Sequence, residues 1–357
     1  MTIYIIAALL PAVLQLFLGD RFHAVLTDRR VRRRKVLPYL IAASVPMLLI
    51  LGLRGYYIGT DTIQYVNHFK SIAELPFSAA RQYSQNEPIL YLLMWLCSRV
   101  STDPTVFLCV DALIVTAAFI SFVSHNGGGE LQTLFFHVTL GSFFFIITGM
   151  RQGLAISFCL LAVDFARRRK PVPFALLILL AFYTHRSAIM FVLVYIVANK
   201  RLTIWNLTLY AIASVIFIVF LDFFQGWFNN AIDYGYDMEE TGNGGIFLAV
   251  VIILTLLSLY MSKYVLRKRP EALVLYNMSF IALVFWVARL FTRTAERLSY
   301  YFLPATFAVV SLAIDEIDHP VKRTFLRIAA IGLSLCLMIY RLNRSSALMP
   351  FIFFWEG

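Results

Sequence analysis

Apolar runs of about 15 to 20 residues recur along the chain, the length at which an α-helix crosses a bilayer and about twice what a barrel strand needs. A backbone in hydrocarbon must satisfy its own hydrogen bonds, so such runs dictate helices. Of the 357 residues 60% are hydrophobic and 14% charged, and the mean hydropathy is +0.77, outside the range of soluble globular domains. The expected fold is all-α and polytopic, one membrane domain over 1–357. Expected spans fall near 2–19, 37–53, 104–123, 131–149, 151–167, 172–183, 186–199, 203–221, 246–262, 271–288, 299–314 and 323–340. The first run has no basic stretch before it and no small-residue cleavage site after it, so it reads as a retained span.

Several function classes fall away. Cys97, Cys109, Cys159 and Cys336 lie inside apolar segments without CxxC spacing, which suits core or lipid-facing positions and not a disulfide framework. No HExxH is present, and "HNGGGE" and "TGNGG" lack the strand, lysine and helix of a phosphate loop. No cofactor or metal is therefore expected. The net charge of +11 is spread over short loops between spans, a pattern of membrane topology and anionic headgroups and not of nucleic-acid binding.

The basic loops 20–35, 167–170, 199–201, 263–270 and 319–327 hold 20 of the 31 Lys and Arg. The positive-inside rule places them in the cytoplasm. Parity then requires that the weak segment 88–100 not cross, and begin and end outside as a short re-entrant or interfacial helix. The prediction is about twelve spans, both termini outside, and outer-face loops at 54–103 and 222–245. The remaining eleven cations are ten arginines and Lys70, and an arginine-rich outer face asks for an anion.

Candidate site residues gather on that face. Arg54 ends the second span, Asp61 follows in "RGYYIGTDTIQYVNHF", and Glu87 opens "NEPILYLLMWL". Arg151 and Gln152 begin "MRQGLAISFCLLA", where the first turn of a helix offers N–H groups and a positive dipole to an anion. His185 and Arg186 interrupt two short apolar runs, an intramembrane titratable pair. Arg289, Arg293 and Arg297 are spaced i, i+4, i+8, one face of a helix where like charges repel unless an anion lies between them. Tyr57, Tyr65 and Tyr300 are candidates for stacking on sugar. Plainer readings stand beside these: Arg54 and Arg341 as interfacial anchors, Asp61 and Glu87 as ion-pair partners, and His185 as a satisfied interior histidine. Arg293 and Arg297 have Glu296 or the acidic loop 233–240 as alternative partners, and the tyrosines fit an interfacial belt.

Taken in order, "RGYYIGTDTIQYVNHF", "NEPILYLLMWL", "MRQGLAISFCLLA" and "HRSAIMF" resemble the EpsG-like family of bacterial polysaccharide membrane proteins, related to Wzy-type O-antigen and capsule repeat-unit polymerases. The resemblance implies a GT-C-like glycosyltransferase of the cytoplasmic (inner) membrane, acting at its outer face. Its substrates would be undecaprenyl-pyrophosphate-linked oligosaccharide repeat units within membrane lipid, and its partner a chain-length regulator protein. For such an activity the expected division of roles is that Arg151, Arg289, Arg293, Arg186 and Arg297 hold the donor pyrophosphate and His185 is the base, with Glu87 and Asp61 as second candidates. Rival classes are a lipid-linked oligosaccharide flippase, a membrane acyltransferase and a non-catalytic assembly partner. The one-sided polar set and the lack of an internal repeat argue against a flippase.

Overall fold

Because hydrocarbon offers no hydrogen-bond partners, helix length and polarity decide which segments can cross. The computed structural model describes residues 1–24, 29–79, 88–125, 128–220, 223, 226 and 245–356. The described residues form α-helices and 3-10 turns. They are α1 (Thr2–Ala24), α2 (Arg29–Leu53), α3 (Thr62–Ala73), α4 (Pro88–Ser98), α5 (Pro104–Ser124), α6 (Glu130–Thr139), α7 (Ser142–Thr148) and α8 (Met150–Arg167). After these come α9 (Pro171–Thr184), a 3-10 turn (Arg186–Phe191), α10 (Val192–Val197), α11 (Ile204–Val219) and α12 (Gly245–Lys268). The series closes with α13 (Leu273–Ala288), α14 (Arg293–Ser299), α15 (Leu303–Asp315) and α16 (Pro320–Leu342).

Among the described residues six segments are long and apolar enough to cross: Thr2–Phe22, Val31–Leu53, Pro104–Ser124, Gly245–Lys268, Pro270–Ala288 and Pro320–Leu342. The pairs α6–α7 and α14–α15, bent by 52° and 53°, raise the number to eight if each is one span. The other four expected spans fall on α8, which carries Arg151, Asp164 and Arg167, and on the shorter apolar segments 171–184, 186–197 and 204–219. Two polar clusters mark two ends among the described residues. Tyr4, Arg54, Tyr56 and Asp103 gather at one, and Arg32, Glu130, Asp315 and Arg327 at the other, called here the basic end.

Helix α4 has 11 residues, about 16 Å of rise and well short of a crossing. It lies beside α3, where Tyr65, Val66, Phe69 and Ile72 are buried on one face. Trp95 Nε1 donates to the Leu75 carbonyl at 3.3 Å and Arg99 Nη2 to that of Ala73 at 2.6 Å. These two helices and the start of α5 form a small apolar cluster beside the larger core.

At the basic end several loop arginines turn inward onto carboxylates, which the charge pattern alone does not show. Arg32 reaches Glu130 through two bonds of 2.8 Å and Asp315 at 3.0 Å. Arg327 joins Asp315 at 2.5 Å and Asp20 at 2.7 Å, and Arg323 joins Asp20 at 2.9 Å. Arg32, Arg323 and Arg327 are buried, so this network ties α1, α2, α6, α15 and α16 together in a low-dielectric setting. A charge there is tolerated only when fully paired.

Candidate active site

At the opposite end a cavity open to solvent is lined by Thr60, Asp61, Tyr65, Phe145, Thr148, Gly149, Arg151, Gln152, His185 and Arg297. They arrive from the loop before α3, from α3, α7 and α8, from the turn after α9 and from α14. The loop 53–61 is pressed onto the end of α7 at Gly59, whose φ of +89° and whose missing Cβ, 2.5 Å from the Ile147 carbonyl oxygen, both demand glycine. Asp61 occupies the N-cap of α3, but its carboxylate accepts no capping bond from the helix N–H groups and lines the cavity instead. One turn on, the Tyr65 hydroxyl accepts from Arg151 Nε at 3.0 Å, and the guanidinium lies 5.9 Å from the ring centroid. Gly149 breaks the chain between α7 and α8, and the first turn of α8 presents Arg151 and Gln152.

His185 sits at the tip of a hairpin. Helix α9 rises from the basic end and stops at Thr184, and His185 is extended (φ −157°, ψ 116°) with its N–H donating to the Ala181 carbonyl at 2.8 Å. The chain then turns through 186–191 and descends along α10. At the foot, Arg169 Nη1 donates to the Tyr195 carbonyl at 2.6 Å and Asn199 Nδ2 to that of Arg167 at 3.2 Å. The tip is held from the side by Ser187 and Tyr301, whose hydroxyls are 2.9 Å apart. His185 is 4% exposed. Arg297 comes from α14, and Gln152 Nε2 donates to its backbone carbonyl at 2.7 Å.

The cavity therefore unites two guanidinium groups, an imidazole, a carboxylate and the N-terminus of an 18-residue helix. Such a set can bind a polyanion and move one proton beside it. Nearby, burial and then the Arg151 charge hold the His68 imidazole below its ordinary range, so His68 presents a neutral ring 3.4 Å from the Tyr91 hydroxyl. At the rim, burial works against the Asp103 carboxylate. Its bonds to the Thr105 N–H and hydroxyl and to Tyr56 outweigh burial and keep it low.

Six of the sequence candidates thus meet: Asp61, Tyr65, Arg151, Gln152, His185 and Arg297. Others do not. Arg289, Arg293 and Arg297 do not share one helix face, because α13 ends at Ala288 and Thr292 is extended (φ −151°, ψ 136°) before α14 begins. Arg289 instead pairs with Glu296 at 2.8 Å, and Arg293 is exposed. Arg54 is neither an interfacial anchor nor a cavity residue. It is 1% exposed, donating to the Leu51 carbonyl and, at 3.4 Å, to Thr62 Oγ1 behind the cavity wall. Arg186 starts the 3-10 turn without lining the cavity. Tyr57 is 72% exposed, and Tyr300 is buried beneath the floor with its ring 4.1 Å from that of Phe145. Glu87 and, apart from 223, 226 and 245, the expected outer loop 222–245 lie outside the described residues.

Sequence reasoning missed three supports. Residues 347–356 strap the loop that leads to Asp61: Gly55 N donates to Ile352 O at 2.8 Å, Phe354 N to Leu53 O at 3.0 Å and Gly59 N to Ala347 O at 2.8 Å. Arg341 fills the space that Gly141 leaves and donates to the Leu140 carbonyl at 3.3 Å. His68 carried no signal beyond its place in "QYVNHF". Searches of curated proteins and of solved structures return no match. A family model, described as the EpsG family, matches residues 38–353, from α2 through the strap and across every element that lines the cavity. The chain belongs to the EpsG family.

Proposed function

We propose that the protein is a polysaccharide polymerase, a membrane-embedded glycosyltransferase of GT-C-like arrangement that joins lipid-pyrophosphate-linked repeat units at the outer face of the cytoplasmic membrane. The observation that carries this reading is the convergence of Arg151, Arg297 and His185 in one cavity at the end opposite the basic loops. Family membership supports the polysaccharide role. The direction of the basic loops supports an outward-facing site, because short loops rich in Lys and Arg are retained in the cytoplasm.

In this reading Arg151, Arg297 and the first turn of α8 bind the donor pyrophosphate. His185 accepts the proton of the acceptor hydroxyl as its oxygen attacks the anomeric carbon. The bond from that carbon to the phosphate oxygen breaks, and its electron pair leaves with the lipid pyrophosphate, whose growing charge the two guanidiniums stabilise. Asp61 orients the imidazole or a sugar hydroxyl. The lipid is undecaprenol, matching bacterial export of glycans, and a chain-length regulator would act on this core from outside.

The test is direct. Purified full-length protein incubated with an undecaprenyl-pyrophosphate-linked repeat unit yields a ladder of multiples on a gel, and Arg151→Ala and His185→Ala do not. A wild-type chain that forms no ladder from repeat units matched to its host, or a His185→Ala variant that forms a normal one, rejects the scheme.

A further inference from the structure

A second cavity, the larger of the two, lies at the basic end. It is a groove of about 320 Å³ between α5, α8 and α9, walled by Phe122, Leu160, Leu161, Val163, Phe165 and Leu177. At its mouth the apolar lining gives way to His125, Asp164 and Arg167. His125 caps α5, with Nδ1 2.7 Å from the Ser121 carbonyl oxygen. Asp164 pairs with both Arg167 and Arg168, the latter at 2.8 Å, so one carboxylate faces two guanidiniums. Arg33 on α2 is close enough for its charge to act on His125: burial lowers the His125 pKa against the Ser121 bond, and the charges of Arg33, Arg167 and Arg168 act on it in the same direction. Arg33 and Arg168 are exposed. An apolar slot roofed by a net positive mouth, set where a helix bundle meets the headgroup region, has the two-part chemistry of an anionic amphiphile.

We infer that this groove binds one anionic phospholipid of the surrounding bilayer, an acyl chain lying against Leu160, Leu161 and Leu177 and the phosphate facing Arg167, Arg168 and Arg33. The lipid chain lies along the packed pair α8 and α9, the two helices that carry Arg151 and His185 at their far ends. It therefore braces the hairpin that holds His185, although the binding itself does not depend on the activity proposed above. The occupant is a bilayer lipid and not the lipid-linked substrate, since the groove opens at the end away from the cavity that holds Arg151 and His185.

The experiment uses the full-length protein, delipidated in detergent and titrated with phosphatidylglycerol or with phosphatidylcholine of the same acyl chains, read by thermal shift and by native mass spectrometry. One phosphatidylglycerol is retained in preference to phosphatidylcholine. Replacing two headgroup cations in Arg33→Ala/Arg168→Ala weakens retention roughly ten- to thirtyfold, from about 1 kcal/mol for each basic residue beside anionic lipid. Leu177→Trp fills the slot and abolishes retention. The exposed-arginine pair keeps the test valid should the tryptophan variant fail to fold. Equal retention of the two lipids, unchanged retention in the arginine variant, or release of a polyprenyl pyrophosphate instead of a phospholipid from the groove would each overturn the inference.

Discussion

Gln152 Nε2 donates to the Arg297 backbone carbonyl at 2.7 Å, joining the first turn of α8 to α14 across 145 residues of sequence. The bond fixes the distance between the two elements that bring Arg151 and Arg297 to the cavity. Gln152→Ala removes one largely buried hydrogen bond, worth about 1 kcal/mol, and loosens α14 against α8. Polymer formation falls roughly five- to tenfold while membrane insertion is unchanged. Arg297→Ala removes the charge itself and costs on the order of a hundredfold. Initial rates of ladder formation for the two variants, normalised to inserted protein, check the ranking.

Asp315 accepts from Arg32, Arg327 and the Gly129 N–H. Asp315→Ala leaves two buried guanidiniums short of a counter-charge, and breaking such a network costs about 3 to 5 kcal/mol. The variant melts well below the wild type in detergent, whereas Arg34→Ala, at an exposed position of the same helix as Arg32, melts with it.

Gly59→Ala places a Cβ 2.5 Å from the Ile147 carbonyl oxygen at a φ of +89°. Both the contact and the backbone conformation oppose it, at a cost of about 1 to 3 kcal/mol. The strain falls on the loop before Asp61, so activity drops more than tenfold. Gly332→Ala, with open space around the new methyl, is silent in the same thermal-shift and ladder assays.

A chain stopped after residue 346 loses the three backbone bonds to Gly55, Leu53 and Gly59. The helices persist, because none of their own hydrogen bonds is removed. The loop 53–61 loosens, and the ladder is lost although the truncated protein still inserts and elutes as a single species. Limited proteolysis cuts the truncated chain within 54–61 faster than the intact one.

Helical class was legible because a run such as Pro104–Ser124 has no alternative in hydrocarbon. Individual crossings were less legible. His185 ends α9 after 14 residues, and a break of that kind separates one long span from a hairpin only once the foot contacts at Tyr195 and Asn199 are known. Of the site, Arg151 and Gln152 could be read from a helix start, and Asp61 and His185 from polar groups interrupting apolar sequence. The i, i+4, i+8 spacing of Arg289, Arg293 and Arg297 misled, since periodicity does not reveal that Thr292 is extended. Arg54, Arg32 and Arg327 look alike as sequence, each a cation at the margin of an apolar run. Burial separates them, and burial depends on partners such as Thr62, Glu130 and Asp315 that lie far along the chain or on another helix.

The pairing of Gly59 with Ala347 also sets an order of events during biosynthesis. The ribosome releases residues 53–59 about 290 residues before it makes their partners, and domains form as their segments emerge. The bundle can thus be threaded into the bilayer while the stretch leading to Asp61 is still unclasped, and the cavity wall is completed only after residues 347–356 have emerged.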